Sequence, residues 1–570
     1  MPLSLAPRSR SVLLAAAALG LSIVCVAAYA QDKDAPKMAV LKPGVVAPQT
    51  KTINEMLAKA WAANNVKPSG RATDHEFLRR VFLDLIGRIA TPAEVKDFER
   101  DKNRGKLVHK LLYDKAYAEE FARNWSNIWA VWLVTRTGDP TYREQLRVWL
   151  EEHFAKDGSH KDMVEKLLTA TGKTNDNGAV NYVLHNLGER VPEADRDKDG
   201  EFDMVPATSR TTRLFLGLQT QCVQCHDHPF NPDWKQQHFW GVNVFFRQSE
   251  RVGNPNVMRN NQAGAAVLEL KDNPAWNSEG LISYEKRSGV VLYTQGTFLD
   301  GRKSLLNATR PRRQVLAELV TSHDHFAKAL VNRIWGQMFG RGFNEQAAVD
   351  DFGEHNKVVH PELLDFLAKE FAAQTDAYDF NRYNAYDPKK LLYWVCTSDA
   401  YSLSSVANIT NDKPEHEVFF SRMLLKAMSP EQLFESLTTA TNMGQSTEEK
   451  KRQKEQWLRK LVQNFGDDEG NEVTFNGTVI QALLMMNGKE INDAIQNKDK
   501  GTVAEIAKKA RTPQGAIAEL YVAALNRRPE AWETAAIMKV GNKYRDTRSF
   551  YFLHDVFWAL LNSNEFILNH

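Results

Sequence analysis

Residues 77–94 read Phe77-Leu78-Arg79-Arg80-Val81-Phe82-Leu83-Asp84-Leu85-Ile86-Gly87-Arg88-Ile89-Ala90-Thr91-Pro92-Ala93-Glu94. Phe77, Val81, Phe82 and Leu85 recur at three- and four-residue spacing, which places them on one apolar face of a helix. Thr91-Pro92-Ala93-Glu94 then opens another helix, with Thr91 as cap, Pro92 in the first position and Glu94 closing a capping box. The same periodicity starts near Ile53, passes through Trp125, Ile128, Trp129 and Trp132, and resumes from about Arg310 to the end of the chain. The tryptophans are read as core packing rather than as a stacking platform. The sequence therefore predicts a mainly α protein.

Between the helical stretches the pattern changes. Ala265–Leu270, Leu281–Lys286 and Val290–Gln295 alternate or run β-branched, and Arg287-Ser288-Gly289 punctuates the last two. This predicts two helical lobes, 51–250 and 301–570, with a small β-rich insert at 251–300. A polar loop is expected at 374–388 and a solvated, charged helix face at 446–456. No internal repeat of fixed period is evident.

At 570 residues, with 43% hydrophobic and 25% charged residues, 13 Trp and 28 Phe, the chain has ample material for a large core. This composition excludes a disordered, collagen-like or polytopic membrane protein. Residues 1–30 read as an export signal: Arg8 and Arg10 precede the apolar run Val12–Ala28, and Ala28-Tyr29-Ala30 supplies a cleavage site. The other reading of that run is an uncleaved membrane anchor. Either way the chain is expected in the periplasm or elsewhere in the cell envelope, after a Pro/Lys/Ala linker at 31–50. Without the two leader arginines, basic and acidic residues balance at 71 each, so no global attraction to nucleic acid is expected.

Loss of the leader removes Cys25 and leaves Cys222, Cys225 and Cys396, too few for a disulfide framework. Two of these lie in Cys222-Val223-Gln224-Cys225-His226, the attachment pattern of a c-type haem. Two thiols add to the vinyl groups, and the histidine ligates iron. Leu214, Leu218, Cys222 and Cys225 share one face if a helix begun near Thr208 continues through them, with His226 four residues after Cys222. His228 extends the motif to a CxxCHxH cluster, whose sulfur and nitrogen ligands also suit zinc or copper; a Cys222–Cys225 disulfide is the third reading. Trp234, His238, Val242 and Phe245 share a face, which makes His238 a candidate distal ligand, with Met204 and Met258 as others. If no side chain takes that position, the iron is open to small ligands.

Asp195-x-Asp197-x-Asp199-Gly200-x-x-Asp203 resembles the start of a calcium loop, with Glu201 offering its carbonyl, but Pro206 stands where a bidentate Glu belongs. Asp350, Asp351, His355 and His360 gather acid–base groups, although His360-Pro361-Glu362 reads more simply as a helix start. No GxSxG, HExxH, Walker or GxGxxG signature is present, and no catalytic residue is assigned.

Arg79–Gly87, Thr91–Glu94 and Cys222–Phe230 resemble the planctomycete-type cytochrome-c-like domain. Val331-Asn332-Arg333-Ile334-Trp335, Phe339–Gly342, Asp350–Gly353, His360–Leu364 and Trp558–Phe566 resemble the domain of unknown function that accompanies it. The resemblance implies an exported protein whose haem would sit on Cys222, Cys225 and His226, with His228 in the same motif. It implies no substrate. The expected function is electron transfer with a redox partner protein, or redox sensing. The alternatives are a zinc or copper enzyme of the envelope and a structural or interaction protein there.

Overall fold

The structure, a computed structural model, describes residues 46–136, 139–229, 231, 234–253, 267–303, 310–374, 385–442, 496–541 and 549–570, together with 452, 453 and 456. The expected leader, Met258, most of the 374–388 loop and most of the 446–456 stretch lie outside these residues. The fold is mainly α with a small β insert.

The helix Asp74–Ile86 carries the stretch on which the sequence reading turned, and it buries every residue from Phe77 to Ile86. It stops at Gly87, whose φ of 79° is left-handed and therefore suits glycine. The next helix, Pro92–Asp101, opens on the expected capping box between Thr91 and Glu94. The long helix Lys115–Val134 packs against Pro140–Ala155 and buries Trp125, Trp129 and Trp132. The first helix begins at Pro48, inside the expected linker.

The β elements are small. Leu281–Glu285 and Val291–Gln295 form an antiparallel hairpin from the two stretches that the alternation marked as β. Glu269–Asp272 pairs with Ser249–Val252 on one side and with Gly172–Lys173 on the other. That sheet therefore recruits residues from the first helical region instead of standing alone. Ala265 and Ala266 of the expected strand lie outside the described residues.

The principal core runs without a break from Ala47 to Val522 and draws on both helical regions. Val205–Leu216 packs on His325–Phe339, and Pro48–Ala63 packs on Pro361–Ala372 and Pro388–Cys396. A second cluster joins Leu83 and Ile89 to the helices Pro430–Thr441, Pro513–Leu525 and Phe550–Leu561.

Charged groups in the Arg79–Gly87 stretch fasten these parts together. Arg79 donates to the carbonyls of Ala524 and Phe566, and Arg80 to those of Tyr401 and His570. Asp84, almost wholly buried, accepts from the Tyr401 hydroxyl at 2.7 Å, Lys426 Nζ at 2.9 Å and Asn569 Nδ2 at 2.7 Å. A buried carboxylate is tolerable only with this degree of pairing.

Candidate functional site: the Cys222–His228 loop and its seam with the second region

The helix that leads to the cysteines ends sooner than the periodicity suggested. Val205–Leu216 stops at Gly217, which takes φ 65° and returns its N–H to the Arg213 and Thr212 carbonyls. Leu214 and Leu218 are buried, but Cys222 and Cys225 do not continue their stripe. Thr220–Gln224 is a short 3-10 turn in which Val223 is fully buried and both thiols are exposed. The cysteines are thus carried by a surface turn after a glycine stop, so the condition of one continuous helix is not met.

That turn is pinned from two sides. The Gln224 carbonyl accepts from Gln236 Nε2 and Trp240 Nε1, both at 3.1 Å. Asp227 Oδ1 accepts the Gln236 N–H at 2.9 Å and so caps the helix Gln236–Asn243. Gln236 also donates to the Glu285 carbonyl, which ties the β hairpin to the loop. On the other side, Phe352 N–H bonds the Gly217 carbonyl at 2.8 Å. Gln219 reaches toward Asp350, whose buried carboxylate pairs with Arg333 at 2.9 Å and lies 3.6 Å from Arg213. The Arg333 guanidinium in turn covers the face of Trp132.

The histidines of the motif have distinct roles. His226 Nδ1 lies 2.7 Å from the Asp227 carbonyl. A carbonyl only accepts, so the hydrogen is on Nδ1 and the lone pair is on Nε2. His228 is the reverse: its Nδ1 accepts the Asn231 N–H at 3.0 Å. His238 likewise accepts the Lys235 N–H at 3.1 Å, serving the start of its helix, with its ring edge-on to Trp234. Met204 is fully buried.

The second region contributes an imidazole beside this loop. The rings of His228 and His355 are 5.0 Å apart between centroids, and His355 Nε2 lies 3.0 Å from Asp351 Oδ1. Burial lowers the His228 pKa, as do the neighbouring His355 and His226, while Asp351 acts in the opposite sense. His360 is elsewhere, with Nε2 on the Val418 carbonyl at 2.8 Å. Of the four acid–base residues grouped in sequence, Asp351 and His355 lie beside His228, and Asp350 meets Gln219 just before the cysteine turn.

The acidic run 195–203 is made of short turns with local contacts. Glu193–Asp195 and Arg196–Asp199 are helical turns, Asp203 Oδ1 accepts the Val205 N–H, and the Glu201 carboxylate is held by Arg190 and the Arg251 N–H. Among the described residues, no three His, Cys, Asp or Glu side chains converge in a way that could hold a metal ion. Among them too, no helix is long and apolar enough to cross a membrane. Sequence reasoning missed Gln219, Gln236 and Trp240, polar side chains that carry no motif of their own.

The fold and the site define a mainly helical protein that presents a Cys-x-x-Cys-His turn where two sequence regions meet. Residues 52–251 match PSCyt2, described as a protein of unknown function (DUF1549), and residues 312–473 match PSD1, described as a protein of unknown function (DUF1553). No curated protein and no solved structure matches the chain.

Proposed function

We propose that this chain is an exported c-type haem protein that works in electron transfer or redox sensing through its one CxxCH site. The observation that carries the reading is the state of His226: Nδ1 is satisfied by the Asp227 carbonyl, so the lone pair of Nε2 is available to iron. Such a carbonyl partner on the far nitrogen is the usual way a ligating histidine is oriented. The two exposed thiols three residues apart are accessible for thioether formation, and the cytochrome-like domain match covers this turn. When bound, the haem would supply a one-electron couple. The chain's own residues do the holding: Cys222 and Cys225 tether, His226 ligates, and Gln236 and Trp240 fix the turn.

A pyridine haemochrome spectrum on denatured protein purified from its native host tests this, beside a Cys222→Ala/Cys225→Ala double variant. A c-type α-band in the wild type alone is the expected result. No band, with stoichiometric zinc or copper by elemental analysis, overturns the reading and makes the Cys/His cluster a metal site.

A further inference from the structure

His355 has an arrangement that its own loop does not explain. Its Nε2 faces the Asp351 carboxylate, which only accepts, so the hydrogen is on Nε2, and in the neutral ring Nδ1 then carries the lone pair. That Nδ1 is buried and has no hydrogen-bond partner among the described residues. A buried polar atom left unpaired is costly, and in native structures it marks a missing partner or a functional role. The free edge of the ring rests against Gly353, where a Cβ would lie 2.6 Å from Cε1 and 2.7 Å from Nδ1. A carboxylate on one nitrogen and an open lone pair on the other is also how metal-ligating histidines are held. The ring stands beside His228, two residues from His226.

The competing side chains are engaged elsewhere. Nδ1 of His228 and of His238 each accept a backbone N–H, and Met204 lies in the core.

We infer that His355, contributed by the second domain and oriented by Asp351, is the second axial ligand of the haem tethered at Cys222 and Cys225. This assignment rests on the haem reading above. It gives the second domain a stake in the iron: ligation through Nδ1 satisfies the orphaned atom and clamps the cofactor across the seam.

The test uses the full chain, haem-loaded in a host with haem-ligation machinery, and reads the ferric spin state by optical and EPR spectroscopy. Wild type should be low-spin. His355→Ala should become high-spin at an unchanged haemochrome yield, and added imidazole should restore the low-spin spectrum. His355→Met should stay low-spin with a sulfur-to-iron charge-transfer band and a raised midpoint potential, a change that loss of packing would not produce. Gly353→Ala, which displaces the ring, should follow His355→Ala. A c-type band with high-spin wild-type iron, or a low-spin His355→Ala protein, overturns the ligand assignment alone, as does conversion to high-spin by His228→Ala instead. Absence of any c-type band removes the haem reading and this assignment with it.

Discussion

Phe352 and Gly217 meet twice across the seam between the two matched regions. The Phe352 N–H bonds the Gly217 carbonyl at 2.8 Å, and the Phe352 ring fills the space that a Gly217 Cβ would need, at 2.6 Å. One glycine therefore ends the helix, turns the chain toward the cysteines and seats the Phe352 segment.

Gly217→Ala should accordingly be destabilising on two counts. The left-handed φ costs about 1 kcal/mol for a residue with a Cβ, and displacement of the Phe352 ring adds about 1–3 kcal/mol. Gly105→Ala is the control, because the nearest atom there is 3.5 Å away and the site is an ordinary helix position. It should stabilise by about 0.5–1 kcal/mol. Urea unfolding of both variants checks the contrast; similar midpoints would remove Gly217 as the pivot of the seam.

Asp84→Ala should cost about 3–5 kcal/mol, because it leaves the Tyr401, Lys426 and Asn569 donors facing a hole in a buried network. Tyr401→Phe removes only one of those bonds and should cost about 1 kcal/mol. Thermal unfolding and limited proteolysis would show the order, and equal losses would contradict the picture of Asp84 as the hub.

Stability should fall in acid. His160 is wholly buried against Phe326 and Trp129, and burial pushes its pKa from 6.5 down to about 3. Burial likewise lowers His325 to about 4. Between the folded and unfolded values the unfolded chain binds more protons, so this contribution is complete above about pH 6.5 and is lost as pH falls toward 3. By pH 5, His160 alone should remove on the order of 2 kcal/mol. Comparing urea midpoints at neutral and acid pH for wild type and His160→Leu checks this. The variant should lose less, and an equal loss would exonerate His160.

The Cys222→Ala/Cys225→Ala protein should fold without haem. Both thiols are exposed and neither belongs to a core cluster, so stability should stay within about 0.5 kcal/mol of that of the apo wild type. Circular dichroism and thermal melts suffice. Collapse of the double variant would mean that the cysteine turn supports the fold in a way its exposure does not suggest.

The helical class, the Thr91 capping box, the buried tryptophans and the β hairpin were all readable from the sequence, because each is a local signal in which period or cap chemistry dictates the outcome. The condition that a helix begun near Thr208 continue through Cys222 is not met, for an equally local reason. Gly217 stands between Leu214 and Leu218, and its place after the last helical residue is itself a stop signal. The acidic run matched a ligand pattern, but a pattern does not reveal that Asp195, Asp197 and Asp199 fall in two short helical turns. Asp351 and His355 drew notice as a chemical group, but nothing local announces that a fold brings them against His228, more than a hundred residues away.

The bonds from Arg79, Arg80 and Asp84 to residues 566–570 have a consequence for biogenesis. A helix near the start of the chain cannot satisfy its buried charges until residues nearly five hundred positions later have emerged from the ribosome. Contacts this distant in sequence form late and slow the final closure. The chain would accordingly complete this buried network only after residues 566–570 have been made.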